Sequence, residues 1–520
     1  MARLTKTAGA AAALCLLAAC GGAPPPPPAP LPVELPPPAA SPEQAKPAKQ
    51  SPPPSAAPRD IRFPKIERSV TTQGLEINSV QLTQLPTVSI KLVIRSGSAA
   101  DPGNRIGLAH LVSRMLKEGT KKLSSAQIAE KVDFLGARLS VHNDEENIYI
   151  NMRALSEHFD EALRLVSDLA VRPRFSKGEL AKLRKREIDR LALQNENPNF
   201  LVFREFFKHL YGDHPYANVD TSEKVVKLVR EADLKKFHGQ HFVPNNAVLV
   251  VVGSVDAETV KGSVDKAFRG WRKKKVKQTE YPAPPKPAGR QVLLIDRPES
   301  VQSVIFVGNL ALPRKDDNYI PLLVANQVLG GSATSRLFMD LREKQSLTYG
   351  AYSRVYESVG IAPFRAYSAV RNEVTDQAMT AFMAHLDRIA TEPTPAAELE
   401  AARRFLVDQF PLRIDTASKI AGLVSDLRIY GLPDDYWDSF ASKISKVDAD
   451  SALAAAKRYI RKDDSVIVVV GKAAAVKEAL AKYGPVTVVD TKGEVVVQPT
   501  AETPTKPAAA KQAAPAGKAK

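Results

Sequence analysis

Val248-Leu-Val-Val-Val-Gly253 and Ser465-Val-Ile-Val-Val-Val-Gly471 read as one strand written twice, each a β-branched run closed by glycine. Upstream of each lies a helical stretch, around Glu179-Leu180 and around Glu398-Leu399. The two offsets agree to within one residue, so the register holds over roughly seventy residues. Each half also opens with a strand-like run, Val88 to Ser96 and Val301 to Val307, followed by a helix. Chance supplies one such pair but not several in order. Within a half, β-branched runs such as Ile148 to Arg153 alternate with amphipathic patterns such as Phe159 to Ala170 and Lys177 to Leu193. The expected fold class is α+β, with two homologous halves of about 200 residues, each a mixed sheet covered by helices. No strand is followed by a Gly-rich phosphate loop, which excludes a nucleotide-binding α/β domain.

Outward from the repeat, composition changes. The chain has 520 residues, too long for one ordinary core, and is 44% hydrophobic and 25% charged. Its 40 prolines crowd toward the ends. The expected division is a signal peptide at 1–19, a lipidated cysteine and Pro-rich disordered tether at 20–60, a first domain at 61–280, a Pro-rich linker at 281–289, a second domain at 290–487 and an Ala/Lys/Pro tail at 488–520. Arg3 and Lys6 precede an apolar stretch, Ala8 to Ala19, too short to span a bilayer stably. It ends Leu17-Ala18-Ala19-Cys20, which resembles the lipobox of bacterial lipoproteins and makes Cys20 the expected acylation site. The other cysteine, Cys15, would leave with the signal, so no disulfide is expected. The expected location is the bacterial envelope, anchored by lipid to the outer membrane and facing the periplasm.

The formal net charge is +16, with its clearest basic run at Arg272-Lys273-Lys274-Lys275. That run has no interleaved aromatics and no recognition motif, so it reads as solvated surface and no nucleic acid is expected.

The run Gly107-Leu-Ala-His-Leu-Val-Ser-Arg-Met-Leu-Lys-Glu-Gly-Thr120 resembles the signature helix of the pitrilysin/insulinase (M16) peptidases, whose core is H-x-x-E-H. Two histidines at i and i+4 share a helix face and hold one zinc, and the glutamate activates its water. Here His110 takes the first histidine position, Ser113 replaces the glutamate and Arg114 replaces the second histidine. A guanidinium stays protonated and ligates no metal. The family's third ligand is a downstream glutamate, and its count lands near Arg190, with Glu187 about one turn off register. The zinc site is therefore expected to be lost, with no cofactor bound by this chain. His238-Gly-Gln-His241 is a rival metal pair but reads as helix surface. His209 and His214, around Leu210-Tyr211-Gly212-Asp213, resemble a structural loop of the family.

The second half carries Gly330-Gly331-Ser-Ala-Thr-Ser-Arg-Leu-Phe-Met-Asp-Leu-Arg342-Glu-Lys-Gln-Ser-Leu-Thr-Tyr349, very like the family's other signature, an arginine and a tyrosine seven positions apart. In active members the arginine holds the substrate backbone. The tyrosine hydroxyl bonds the carbonyl oxygen as charge develops on it. Arg342 and Tyr349 fit those positions.

The resemblance covers roughly residues 66 to 485 and implies the pitrilysin-type metallohydrolase fold, closing like a clamshell around an extended polypeptide. It implies the zinc-less subunit of a heterodimer, lending Arg342 and Tyr349 to a zinc-bearing homologue that cleaves unfolded peptides or small proteins. The alternative is a non-catalytic structural or peptide-binding envelope lipoprotein on the same fold. A self-sufficient protease using His110 with Glu187 or Glu118 is the least favoured reading.

Overall fold

The two valine-rich runs lie inside two six-stranded sheets of the same plan. The computed structural model of the chain describes residues 62–277, 279–286 and 289–496. The signal segment, Cys20 and the tether lie outside them, as does the tail beyond residue 496. The first half contributes strands Glu67–Val70 (β1), Glu76–Gln81 (β2), Thr87–Ile94 (β3), Arg138–Asn143 (β4), Ile148–Leu155 (β5) and Ala247–Gly253 (β6). The second contributes Gln291–Asp296 (β7), Gln302–Leu312 (β8), Thr348–Val355 (β9), Ala362–Arg371 (β10), Val466–Gly471 (β11) and Val486–Val489 (β12). The orders are β1-β2-β6-β3-β5-β4 and β12-β7-β11-β8-β10-β9.

From the second strand inward the two orders are the same. β6 runs parallel to β2, and β11 parallel to β7. The other shared pairings are antiparallel. Only the outermost strands differ: β1 is antiparallel to β2, whereas β12 is parallel to β7. Gly253 closes β6 because a Cβ there would meet Thr87 O at 2.2 Å. β1, β2, β4, β7, β9, β10 and β12 are additions to the strands read from sequence.

The helices of the first half are Leu108–Met115 (α1), Ser125–Phe134 (α2), Phe159–Val171 (α3), Lys177–Asn195 (α4), Pro198–Tyr211 (α5), Glu223–Leu228 (α6), Glu231–His241 (α7) and Ala257–Ala267 (α8). Those of the second are Tyr319–Leu329 (α9), Arg336–Phe338 (α10), Thr375–Thr391 (α11), Ala396–Asp408 (α12), Ala417–Ile429 (α13), Phe440–Ser445 (α14), Ala449–Tyr459 (α15) and Ala473–Ala481 (α16). Ser124 and Ser176 cap α2 and α4 by accepting from the backbone N–H three residues on.

Every residue of β6 and of β11 is buried, so each sheet needs cover on both faces. One face packs on helices of its own half: Leu249 and Val251 join Leu111, Val112, Leu163 and Val166. The other face is covered from the opposite half. α13 lies across β3 and β6, and α5 lies across β8 and β11. Val248, Val250 and Val252 therefore pack with Ile420, Leu423, Val424 and Leu427. Leu201, Phe206 and Leu210 pack with Phe306, Val468 and Val470.

Polar contacts lock the exchange. Arg428 of α13 donates to Asn78 Oδ1 at 3.1 Å and lies 3.5 Å from Glu76 on β2. Tyr211 of α5 donates to Ile361 O at 2.8 Å, and Arg204 to Thr491 O at 2.9 Å. A cut at 281–289 would therefore part each sheet from one face of its cover. The expected end at 487 is corrected as well. β12 continues to Val489, and the chain turns back so that Val496 N donates to Val488 O at 2.9 Å. Val488-Val489 and Val495-Val496 flank that turn, ahead of the Ala/Lys/Pro-rich stretch.

Phe206→Ala should cost about 3 kcal/mol of unfolding free energy, since the buried ring meets Phe306 at 5.7 Å across the halves. Hydrogen exchange should show the lost protection in β8 and β11, although the substitution lies in the first half. Loss confined to residues before 280 would mean that α5 does not carry the second sheet.

Candidate functional site

α1 starts where the chain is pinned on two sides. Asp101 accepts from Gly107 N at 2.6 Å and Ala109 N at 2.7 Å. Gly107 has φ +94, and a Cβ there would meet Thr221 Cβ at 2.2 Å, so glycine is required. Leu108, Leu111, Val112 and Met115 face the core. His110 and Arg114, four residues apart, face α4, where Glu187 and Arg190 are three residues apart.

The structure brings all four together. His110 Nε2 lies 3.0 Å from Glu187 Oε2, and Arg114 Nε 3.3 Å from Glu187 Oε1. Arg190 Nε donates to Glu187 Oε2 at 2.5 Å, and its two Nη atoms grip Asp220 at 2.9 Å each in a bidentate fork. The register count is corrected here: the carboxylate that meets His110 is Glu187, not whatever stands at 190. The helix pair sets that register, and a count along the chain missed it by one turn. Asp220 was not anticipated, and nothing in its local sequence marks it.

Burial pushes the Glu187 carboxyl up, but hydrogen bonds from His110 and Arg190, together with their charges, outweigh it and hold the pKa at about 2. Burial lowers the Arg190 pKa, and its bonds to Asp220 and Glu187 raise it above the usual arginine value. Ser113 is fully buried, donates to His110 O at 2.8 Å and offers no base.

These residues do not fit a catalytic zinc. Such a site needs three protein donors and an open position. His110 and Glu187 are two, and the guanidinium groups of Arg114 and Arg190 supply positive charge where the ion would bring its own. Among the described residues, no group of three or more His, Cys, Asp or Glu could hold a metal ion. Glu118 is engaged by Arg186 at 2.5 Å instead. His238 Nε2 donates to Ala170 O at 2.7 Å, and burial takes its pKa down to about 4. His241 lies 2.9 Å from Ser96 Oγ. His209 meets Glu205 O at 2.8 Å, and His214 accepts from Tyr216 N at 3.1 Å. All four serve the scaffold.

The Arg342 and Tyr349 pair is built differently. Arg342 sits on a π-helical turn, Met339–Lys344, which His385 of α11 holds through Asp340 at 2.7 Å. Ser346, at φ +53, turns the chain into β9. There Thr348 pairs with Val370 and Ala351 with Ser368, so Tyr349 and Gly350 together oppose Ala369 in a β-bulge. Thr348 Oγ1 lies 2.7 Å from Ala369 O and accepts from Gly350 N at 3.1 Å. Ser368 Oγ donates to Gly350 O at 2.9 Å. The bulge turns Tyr349 outward, to 86% exposure. Its hydroxyl has no partner among the described residues, and the Arg342 guanidinium lies 5.5 Å from its ring. Thr348, Ser368 and Asp340 are positioning residues that the signature alone does not reveal.

Glu187→Gln should lower stability by about 2 kcal/mol at pH 7, since it leaves two guanidinium groups facing a neutral amide. Because the folded pKa lies below the ordinary 4.5, the carboxylate's contribution is complete above about 4.5 and is lost as pH falls toward 2. Urea titrations at pH 7 and pH 3 should therefore show the gap between variant and parent narrowing with acid. A gap independent of pH would contradict the ionic account.

Residues 77–219 match the model "Insulinase (Peptidase family M16)", and residues 229–406 match "Peptidase M16 inactive domain". A protein named "Uncharacterized zinc protease" from Rickettsia bellii is 25% identical over 333 residues, 64% of this chain and 79% of that one. One named "Non-peptidase homolog YmxG" from Helicobacter pylori is 26% identical over 369 residues, 70% of this chain and 84% of that one. The crystal structure of a peptidase M16 inactive domain from Pseudomonas fluorescens superposes with a TM-score of 0.73 at 26% identity, covering 78% of this chain and 98% of that one. The two matched models together span more than half of the sequence, carry the histidine helix in one half and the arginine–tyrosine signature in the other, and place this chain in the M16 peptidase family.

Proposed function

We propose that this chain is the zinc-less member of an M16-type peptidase heterodimer, lending Arg342 and Tyr349 to the zinc site of a homologous partner. One observation carries the reading. Tyr349 stands outside the fold on a bulge fixed by Thr348 and Ser368, with Arg342 over its ring, and no described residue uses its hydroxyl. A ring exposed to this extent stabilises little, so holding it there favours use by another molecule. At the other end, the helix that would hold zinc closes into an ion-pair cluster around Glu187. Arg342 would hold the backbone of an unfolded peptide or small protein, and Tyr349 would donate to the developing oxyanion. Acylation at Cys20 would tether the pair in the bacterial envelope, at the outer membrane and facing the periplasm.

A second reading is a non-catalytic binding lipoprotein on the same fold, favoured by the name "Non-peptidase homolog" carried by one relative.

The purified chain should not cleave a quenched fluorescent peptide, with or without zinc. Mixed with a zinc-bearing homologue from the same cell it should. In that mixture Tyr349→Phe should lower kcat by about 10²-fold with little change in thermal stability. Thr348→Val, which removes the hydroxyl holding the bulge, should lower it by roughly tenfold. Full activity of the Tyr349→Phe mixture would remove the basis of the proposal, and silence of every mixture would favour the second reading.

A further inference from the structure

Both sheets oppose like charges at their outer ends. Arg138 on β4 stands directly opposite Arg153 on β5, and Arg354 on β9 directly opposite Arg365 on β10. Like charges in direct cross-strand register are unfavourable, and none of the four has an ion-pair or hydrogen-bond partner among the described residues. By strand alternation all four point away from their own half's helices: Met152, next to Arg153, joins the first half's core, and Phe364 and Ala366, flanking Arg365, join the second's. α13 and α5 pack chiefly on the central strands of those faces, and from the edge of α5 Phe203 reaches Arg365.

The β9–β10 face is the more developed of the two. Arg365 is 9% exposed, and its Nε is buried without a hydrogen-bond partner. Its guanidinium carbon lies 4.0 Å from the Phe306 ring centre, 4.5 Å from Tyr367, 5.3 Å from Tyr356 and 5.9 Å from Phe203. The rings offset part of the desolvation and fix the planar fork, but they bring no negative charge. Burial lowers the Arg365 pKa against smaller upward effects of Tyr356 and Tyr367, and the neighbouring Arg354 charge adds a still smaller lowering. Arg354 is exposed at the rim, 5.0 Å from the Tyr356 ring. Tyr352, half-buried, sits between Tyr367 at 5.9 Å and Phe338 at 5.5 Å.

We propose that the β9–β10 face binds an acidic segment of polypeptide, with an Asp or Glu carboxylate received by Arg365 and Arg354 and an adjacent apolar side chain by Tyr352, Tyr367 and Phe338. Charge complementarity selects this occupant: two fixed cations without an acid, walled by rings, suit one carboxylate and its apolar neighbour. Nucleic acid would call for a longer track of charge. That the segment belongs to a substrate rests on the heterodimer reading, because Arg354 lies five residues along β9 from Tyr349, about 16 Å at the strand rise. Binding itself does not rest on it.

The test is fluorescence anisotropy of the full chain alone, with a labelled decapeptide centred on Glu-Phe-Glu and its Gln-Phe-Gln counterpart, near physiological salt. The acidic peptide should bind about tenfold more tightly than its counterpart, and Arg365→Met should abolish that preference. Arg354→Gln, at an exposed position where folding is not at risk, should weaken binding severalfold, and Arg365→Lys should give an intermediate value. The assay contains no zinc-bearing partner and reads no cleavage, so failure of the peptidase reading and failure of this site are read separately. Equal binding of the two peptides would overturn the proposal. So would unaltered binding by Arg354→Gln, or a single-stranded oligonucleotide that binds as tightly with the same dependence on Arg365.

Discussion

A strand with apolar side chains on both faces cannot be finished by one layer of helices. β6 and β11 are such strands, and each half folds back only enough helix to cover one side of its sheet. The remaining faces are closed by trade, α5 outward to the second sheet and α13 back to the first. Everything functional hangs from that arrangement. α5 follows directly on α4, which carries Glu187 and Arg190. The sheet that α5 covers carries, on its outer strands, the bulge of Tyr349 and the aromatic box of Arg365.

The cluster at α1 and α4 shows what the scaffold requires when the metal motif has changed. A buried carboxylate on α4 needs a positive partner whether or not an ion is involved. Arg114 and Arg190 supply it, and Asp220 balances the second guanidinium. The substitutions that remove zinc chemistry thus answer one another electrostatically, and the helix packing that a metal site would use is retained without its chemistry.

Much of the fold was legible because the repeat is written in valine. A β-branched run closed by glycine is a strong local signal, and finding it twice at one offset fixed the two-halved plan. β2 and β7 were not read. Glu76-Ile-Asn-Ser-Val-Gln81 has only two apolar residues and is made a strand by its pairing with β1 and β6, a non-local cause. The helix exchange was illegible for the same reason, since α5 and α13 look like ordinary amphipathic helices and nothing local says which sheet they meet. In the site, residue types announced the missing zinc donors and the arginine–tyrosine pair. Glu187, Asp220 and the bulge at Tyr349 depend on interhelical register and a two-for-one strand pairing, which spacing along the chain does not encode.

The traded helices have a mechanical consequence. A connection such as 281–289 would ordinarily invite one domain to swing against the other. Here each domain wears a piece of its neighbour, and Arg428, Tyr211 and Arg204 fasten the pieces down. Swinging would strip the valine faces of both sheets at once, so the segment is a link and not a hinge. In the heterodimer proposed above, opening and closing around a polypeptide would therefore fall at the boundary with the partner, with this chain as one rigid jaw.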